Sequence, residues 1–181
     1  MPEYVHIFNL IFGYGAIVAQ VLCLLVLFLL FFGPKENKLL TIIKENFVTI
    51  GFIFSLLIAL SSLFYSQIVG FAPCALCWWQ RVFIFPQVFL FGVAYFKKDK
   101  GILSYSFPLL ITGMVIAFYH NYIYYFGEGL APCDSSGVSC VQRLVNEMGG
   151  YISIPSLSLT SFVILITILL VVKFYKKENV L

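Results

Sequence analysis

Five apolar runs separated by short polar stretches set the plan of this chain: residues 7–32, 47–69, 78–96, 102–126 and 154–172. Each is close to or above the ~20 residues that carry a helix across a bilayer. Ile7 to Phe32 has no charged residue, and Gly33-Pro34 ends it. It is too long for the apolar core of a secretory signal, and no basic residue precedes it. In the second run, Ser55, Ser61 and Ser62 suit helix contacts or backbone bonding within a membrane. The third and fourth runs hold Pro86 and Pro108, where kinks are expected. Lys35 to Asn46 suits a short amphipathic turn on the surface. Gly70 to Cys77 forms the first exposed loop, and Lys97 to Lys100 a tight charged turn. Gly127 to Ser153 is the longest polar segment, and Arg143 to Met148 within it suits a short helix lying on the membrane. Lys173 to Leu181 is a basic tail, and no internal repeat is evident.

Composition agrees with the pattern. The chain is 61% hydrophobic and 10% charged, with mean hydropathy +1.00, against about 25% charged in a soluble domain. Only helices and closed barrels satisfy the backbone in lipid, and runs of this length are helices, so an all-α integral membrane protein is expected. The net charge of +3 is too small to indicate nucleic acid. Its distribution matters more. The lysines fall in three clusters, at Lys35, Lys38 and Lys44, at Lys97, Lys98 and Lys100, and at Lys173, Lys176 and Lys177. Alternating crossings put all three on one side, which the positive-inside rule makes the cytoplasm. The N-terminus and the two cysteine-bearing loops then lie outside, and the C-terminus inside. Tyr4, Phe71, Trp78, Trp79, Tyr122, Tyr124, Tyr125 and Tyr151 fit an outer aromatic belt.

Four of the five cysteines, Cys74, Cys77, Cys133 and Cys140, fall on the outer, oxidising side, where two disulfides are their default state. Cys23 falls in mid-membrane and reads as a small core residue. Cys74 and Cys77 can close a ring across a helix N-terminus. A helix beginning near Cys77 would favour its thiolate through the helix dipole, and Arg81, one turn on, would add to this. The competing account is a metal half-site or an inert staple. Zinc usually needs four ligands, and no histidine or further close cysteine completes a set, so no metal is expected. Cys133 and Cys140 enclose Asp-Ser-Ser-Gly-Val-Ser, a small polar loop. An exposed, flexible disulfide there is open to thiol exchange; a loop staple is the alternative. His120 could give a hydrogen bond or proton to a bound carrier, or simply reach the interface. Arg143 reads as a solvated rim residue. Trp78, Trp79 and Phe83 could flank a planar ligand, though an aromatic belt accounts for them equally. No haem, nucleotide or iron–sulfur signature is present, so electrons leaving the thiols need a lipid-soluble acceptor, and a quinone is the candidate left by elimination.

The run Cys74-Ala75-Leu76-Cys77-Trp78-Trp79-Gln80-Arg81, continuing to Pro86, resembles the disulfide bond formation protein B family, DsbB, and within it the BdbC-type branch. Gly150 to Leu159 resembles the entry to that family's last helix. The likeness covers about Phe47 to Tyr175. It implies a four-helix transmembrane bundle, here residues 47–181, with one extra N-terminal transmembrane helix and its connection in residues 1–46. It implies a thiol:quinone oxidoreductase of the bacterial inner membrane. Its partner would be a thioredoxin-fold thiol oxidase (DsbA- or BdbD-like) and its acceptor ubiquinone or menaquinone. Carried over, Cys133 forms the mixed disulfide with the partner, Cys140 and Cys74 exchange between loops, and Cys77 faces the quinone as a thiolate steadied by Arg81. His120 matches the family's quinone-side histidine, and Trp78 is counted with Cys77, Arg81 and His120 among the expected quinone-binding residues. The extra helix and the close spacing of Cys133 and Cys140 depart from the family pattern. A vitamin K epoxide reductase-like protein has its two pairs in the reverse chain order. A non-catalytic membrane protein with structural disulfides is the remaining alternative.

Overall fold

The computed structural model describes residues 3–34, 36–127, 138–141, 144–145 and 150–175. The expectations for Cys133, Arg143, the short surface helix after it and the tail beyond Tyr175 lie outside the described residues. All regular elements among those described are helices: α1 (Glu3–Phe32), α2 (Lys38–Glu45), α3 (Phe47–Leu63), a π turn (Phe64–Ile68), α4 (Ala75–Lys97), α5 (Ile102–Phe126) and α6 (Ile154–Phe174). Five of these are long and apolar enough to cross a membrane, counting α3 and the π turn as one. The protein is an all-α, multi-pass membrane protein.

Local chemistry fixes the ends. The Asn37 side chain caps α2 by accepting from the Leu39 amide at 2.9 Å. Ser153 and Ser156 form a reciprocal capping box at the start of α6, with Pro155 in its first turn. Lys98 takes the left-handed conformation that stops α4, and the Asp99 carboxylate accepts from the Gly101 amide at 2.7 Å to close the turn. Both α4 and α5 continue past their internal prolines.

Apolar helices gain nothing from leaving lipid for one another, so close fit and buried polar pairs hold them together. The main core runs through α3, α4, α5 and α6, with Phe91, Leu110, Phe162, Leu165 and Leu169 fully enclosed. At Gly113 a side chain would overlap the Phe162 ring, so α5 and α6 touch there only because the residue is glycine. Between α4 and α5, the buried Ser106 hydroxyl donates to the Gln87 amide oxygen. α6 lies deepest. α1 packs on one side of the bundle and leaves most of its surface to lipid. α2 crosses beneath, packing Leu40 against Val26, Val171 and Tyr175. The described lysines gather at this end, where Lys44, Lys100 and Tyr175 line one depression. Cys74, Cys77 and Cys140 lie at the other.

Candidate active site

The site is built on the first turn of α4. Cys74 is its N-cap, in extended backbone (φ −70°, ψ 171°), and its carbonyl accepts from the Trp78 amide at 3.1 Å. The helix therefore starts at Ala75, three residues before the apolar run. Hydropathy marks where the chain turns apolar; the cap marks where the backbone turns helical. Cys77 thus sits inside the first turn, among amides with no intrahelical acceptor. The Cys74 and Cys77 sulfurs are 3.3 Å apart, and both are free thiols. Two disulfides were expected. The structure instead holds this pair as a dithiol, a state any cycling pair also occupies, while Cys140 is disulfide-bonded.

The two sulfurs of the pair have different neighbours. Cys74 is 4% exposed and packs with Cys140, 3% exposed, in one small cluster with Leu76 and Val138. The second cysteine-bearing segment therefore lies directly against the first. His120, buried on α5, joins them. Its Nε2 is 3.2 Å from the Cys140 carbonyl oxygen and 3.9 Å from the Cys74 sulfur, and its Nδ1 is 3.0 Å from the Gln80 amide nitrogen. With Gln80 donating to Nδ1, the network assigns the ring proton to Nε2, which donates to the Cys140 carbonyl and faces Cys74. The thiol contact with Cys77 holds the Cys74 thiol down to about 4, burial opposing and the His120 side chain assisting. The sequence offered no histidine near the pair; the fold brings one in. The ligand atoms of Cys74, Cys77 and His120 lie within 4.8 Å of one another, three members of a soft-metal set.

Cys77 faces elsewhere. It lines a cavity of about 450 Å³ walled by α1, α3, the loop at Phe71 to Pro73, and α6. Gln80 and Arg81 join it at the polar edge of this mostly apolar space. Arg81 is only 9% exposed. Its Nε donates to the Ser62 hydroxyl and its Nη2 to the Ser62 carbonyl, both at 2.9 Å. Its guanidinium also lies 5.2 Å from the Trp78 ring. These partners are neutral, so they satisfy its donors without cancelling its charge, and the field falls on the Cys77 side of the cavity. Ser62 stands just before the π turn, a distortion often found at functional sites.

The remaining sequence candidates divide. His120 stands between the two cysteine segments and is not among the residues lining the cavity. Trp78 and Trp79 are each 56% exposed; the Trp78 ring meets the site at Arg81, and Phe83 packs with the main core. Cys23 is buried and hydrogen-bonds Thr167 of α6, away from the other thiols. Sequence reasoning gave no role to Gln80 and missed Ser62 as the arginine's partner. The signal was present: a cation inside an apolar run needs polar partners at its own depth, and the serines near the end of the second run supply them. The arrangement allows thiol exchange on the Cys74 side and electron release into an apolar cavity on the Cys77 side.

The family model described as disulfide bond formation protein DsbB matches residues 44–172. The chain belongs to the DsbB family. It is 32% identical over 140 residues to the probable disulfide formation protein C 2 of Bacillus anthracis, covering 77% of this chain and 99% of that relative. It is 35% identical over 138 residues to the disulfide bond formation protein C of Bacillus subtilis (strain 168), covering 73% and 96%. A probable disulfide formation protein of Metapseudomonas resinovorans is 31% identical, covering 71% and 90%. No solved structure matches. As a DsbB-family member the protein is a membrane oxidoreductase of disulfide formation.

Proposed function

We propose that this DsbB-family protein is a thiol:quinone oxidoreductase that reoxidises a thioredoxin-fold, disulfide-introducing partner. The observation that carries the reading is the split environment of one pair: Cys74 packed on Cys140, Cys77 open to the cavity. The cavity's apolar walls and its edge of Cys77, Gln80 and Arg81 suit a planar, lipid-soluble ligand with polar oxygens. A quinone bound there supplies a sink for two electrons and two protons.

In this scheme residues 47–181 form the redox unit and 1–46 an added helix with its connection. The cysteine end faces the outside of the bacterial inner membrane and the lysine end the cytoplasm, in line with the clustering of the lysines. A thiolate of the partner attacks Cys133 of the Cys133–Cys140 disulfide and forms a mixed disulfide. The partner's second thiolate then displaces Cys133, leaving with its own disulfide closed. The released Cys140 thiolate attacks Cys74 of an oxidised Cys74–Cys77 pair, and the Cys77 thiolate leaves beside Arg81. Cys133 displaces Cys74 to restore Cys133–Cys140, which leaves Cys74 and Cys77 as the dithiol. That dithiol closes again as its two electrons pass to the acceptor. The balance is partner dithiol plus quinone giving partner disulfide plus hydroquinone. Cys74, held down to about 4, is a good leaving group in the exchange and a ready thiolate for reclosing the pair. His120 holds the Cys140 backbone against Cys74 through its Nε2 proton, and Arg81 supplies the fixed charge.

The test is Cys77→Ser in full-length protein, with quinone reduction driven by a reduced thioredoxin-fold partner. Turnover is expected to vanish. Undiminished turnover would sink the scheme.

A further inference from the structure

We infer that α1 is a working wall of the acceptor cavity, and that Gly15 is the residue that leaves room there for the acceptor's apolar body. The inference rests on the quinone-linked reading above and assigns a specificity element to it. α1 ends before residue 44, where the family match begins, so the wall lies outside the matched family unit.

Ile11, Phe12, Gly15, Ala16 and Ala19 of α1 line the cavity, opposite Cys77 and Arg81 of α4. Their spacing puts them on one helix face. The face is held in place by polar bonds that an anchor adrift in lipid would not need. Asn9, 2% exposed, accepts from the Tyr65 hydroxyl at 2.8 Å, and Tyr65 belongs to the π turn that also lines the cavity. The Gln20 amide donates to the Thr160 hydroxyl and accepts from the Tyr151 hydroxyl, each at 2.7 Å. α1 is thus fixed in rotation as well as depth, with its small residues turned to the cavity.

Two neighbouring glycines separate packing from ligand space. A Cβ on Gly13 would stand 3.3 Å from Ile152, so Gly13 is there to let α1 approach the start of α6. A Cβ on Gly15 would meet nothing within 4 Å. A glycine inside a helix costs roughly 0.5–1 kcal/mol relative to alanine, and at Gly15 no protein contact accounts for it. Gly15 is exposed and lines the cavity, so the space it leaves opens onto the cavity.

The experiment measures steady-state quinone reduction in detergent-solubilised full-length protein with a reduced thioredoxin-fold partner. Gly15→Leu adds four carbons and is expected to raise the quinone KM at least about tenfold, the lower end of the scale for a single methylene in an apolar pocket, while the partner KM and the kcat at saturating quinone hold. Ala19→Leu provides a second variant on the same face, with the same direction of change. Val18→Leu, on α1 but not among the residues that line the cavity, is expected to leave all three constants alone. If both cavity variants keep a quinone KM within about twofold of the parent while Cys77→Ser abolishes turnover, α1 is an anchor only and this inference falls alone. A rise in partner KM together with quinone KM in both variants also overturns it, because the damage is then general. If Cys77→Ser retains turnover, the quinone-linked reading falls and takes the inference with it.

Discussion

The two ends of the bundle handle polar groups in opposite ways. At the lysine end the charges stay at the rim, and the buried Tyr175 ties α2 to the end of α6. The Tyr175 hydroxyl accepts from the Asn37 amide at 2.9 Å and lies 3.2 Å from the Thr41 hydroxyl, and the Lys44 ammonium donates to the Tyr175 carbonyl. At the cysteine end Asn9, Gln80, Arg81 and His120 are each under a tenth exposed, deep among apolar helices. Burial of that kind costs free energy unless every donor and acceptor is met, and each of these has a named partner. The contrast separates two kinds of polarity in a membrane protein. Charge at the rim sets depth and orientation; polarity inside is held by specific bonds, which join helices at Ser106 and Gln87 and shape the thiol site at Gln80, Arg81 and His120.

The strongest way to break this contrast is to remove one cation from each end. Arg81→Ala is expected to lower quinone-linked turnover about a hundredfold, the scale for losing one fixed electrostatic stabiliser. Lys44→Ala is expected to stay within about twofold, as for a rim charge. Equal effects, measured as quinone reduction with reduced partner, would erase the distinction. A finer probe uses pH. In the reduced protein Cys74 is protonated only as pH falls through about 4. Its alkylation rate should therefore be flat between about pH 6 and 8, where an ordinary thiol gains tens of fold. Cys77→Ala removes the main cause and should restore the slope; mass spectrometry of the labelled site reads both. A steep profile for Cys74 in the parent protein would count against the geometry given above. The smallest effect belongs to Tyr175→Phe. It should cost about 1 kcal/mol in thermal unfolding and leave turnover unchanged.

The membrane plan was legible because a bilayer imposes length. Four of the five spans begin and end within about three residues of the apolar runs, α1 starting four residues early. The two largest offsets have local causes. α1 begins at Glu3 because a helix can extend past the apolar stretch into solvent, and α4 begins at Ala75 because Cys74 caps it. The cysteine motif was also legible, through its resemblance to the family. What the sequence did not carry was azimuth. In lipid a helix is apolar all round, so periodicity does not tell which face meets which neighbour. The depth of His120 followed from the chain, but not its position behind Cys74 rather than at the cavity. The π turn was equally hidden, since it is a change of backbone register with no residue signature. The role of α1 depends on which of its faces meets the bundle; the one hint was Asn9 and Gln20, two amides on one face of an otherwise apolar run, to which the sequence reading gave no role.

The length of α1 has a further consequence. Its 30 residues make a rod of about 45 Å, half again the ~30 Å hydrocarbon thickness. An unattached rod of that size would lean to suit whichever membrane it met. This one is bolted at Asn9 and Gln20 and clamped near Val26, so its slant is dictated by the other helices. A thicker or thinner bilayer must then deform around the protein.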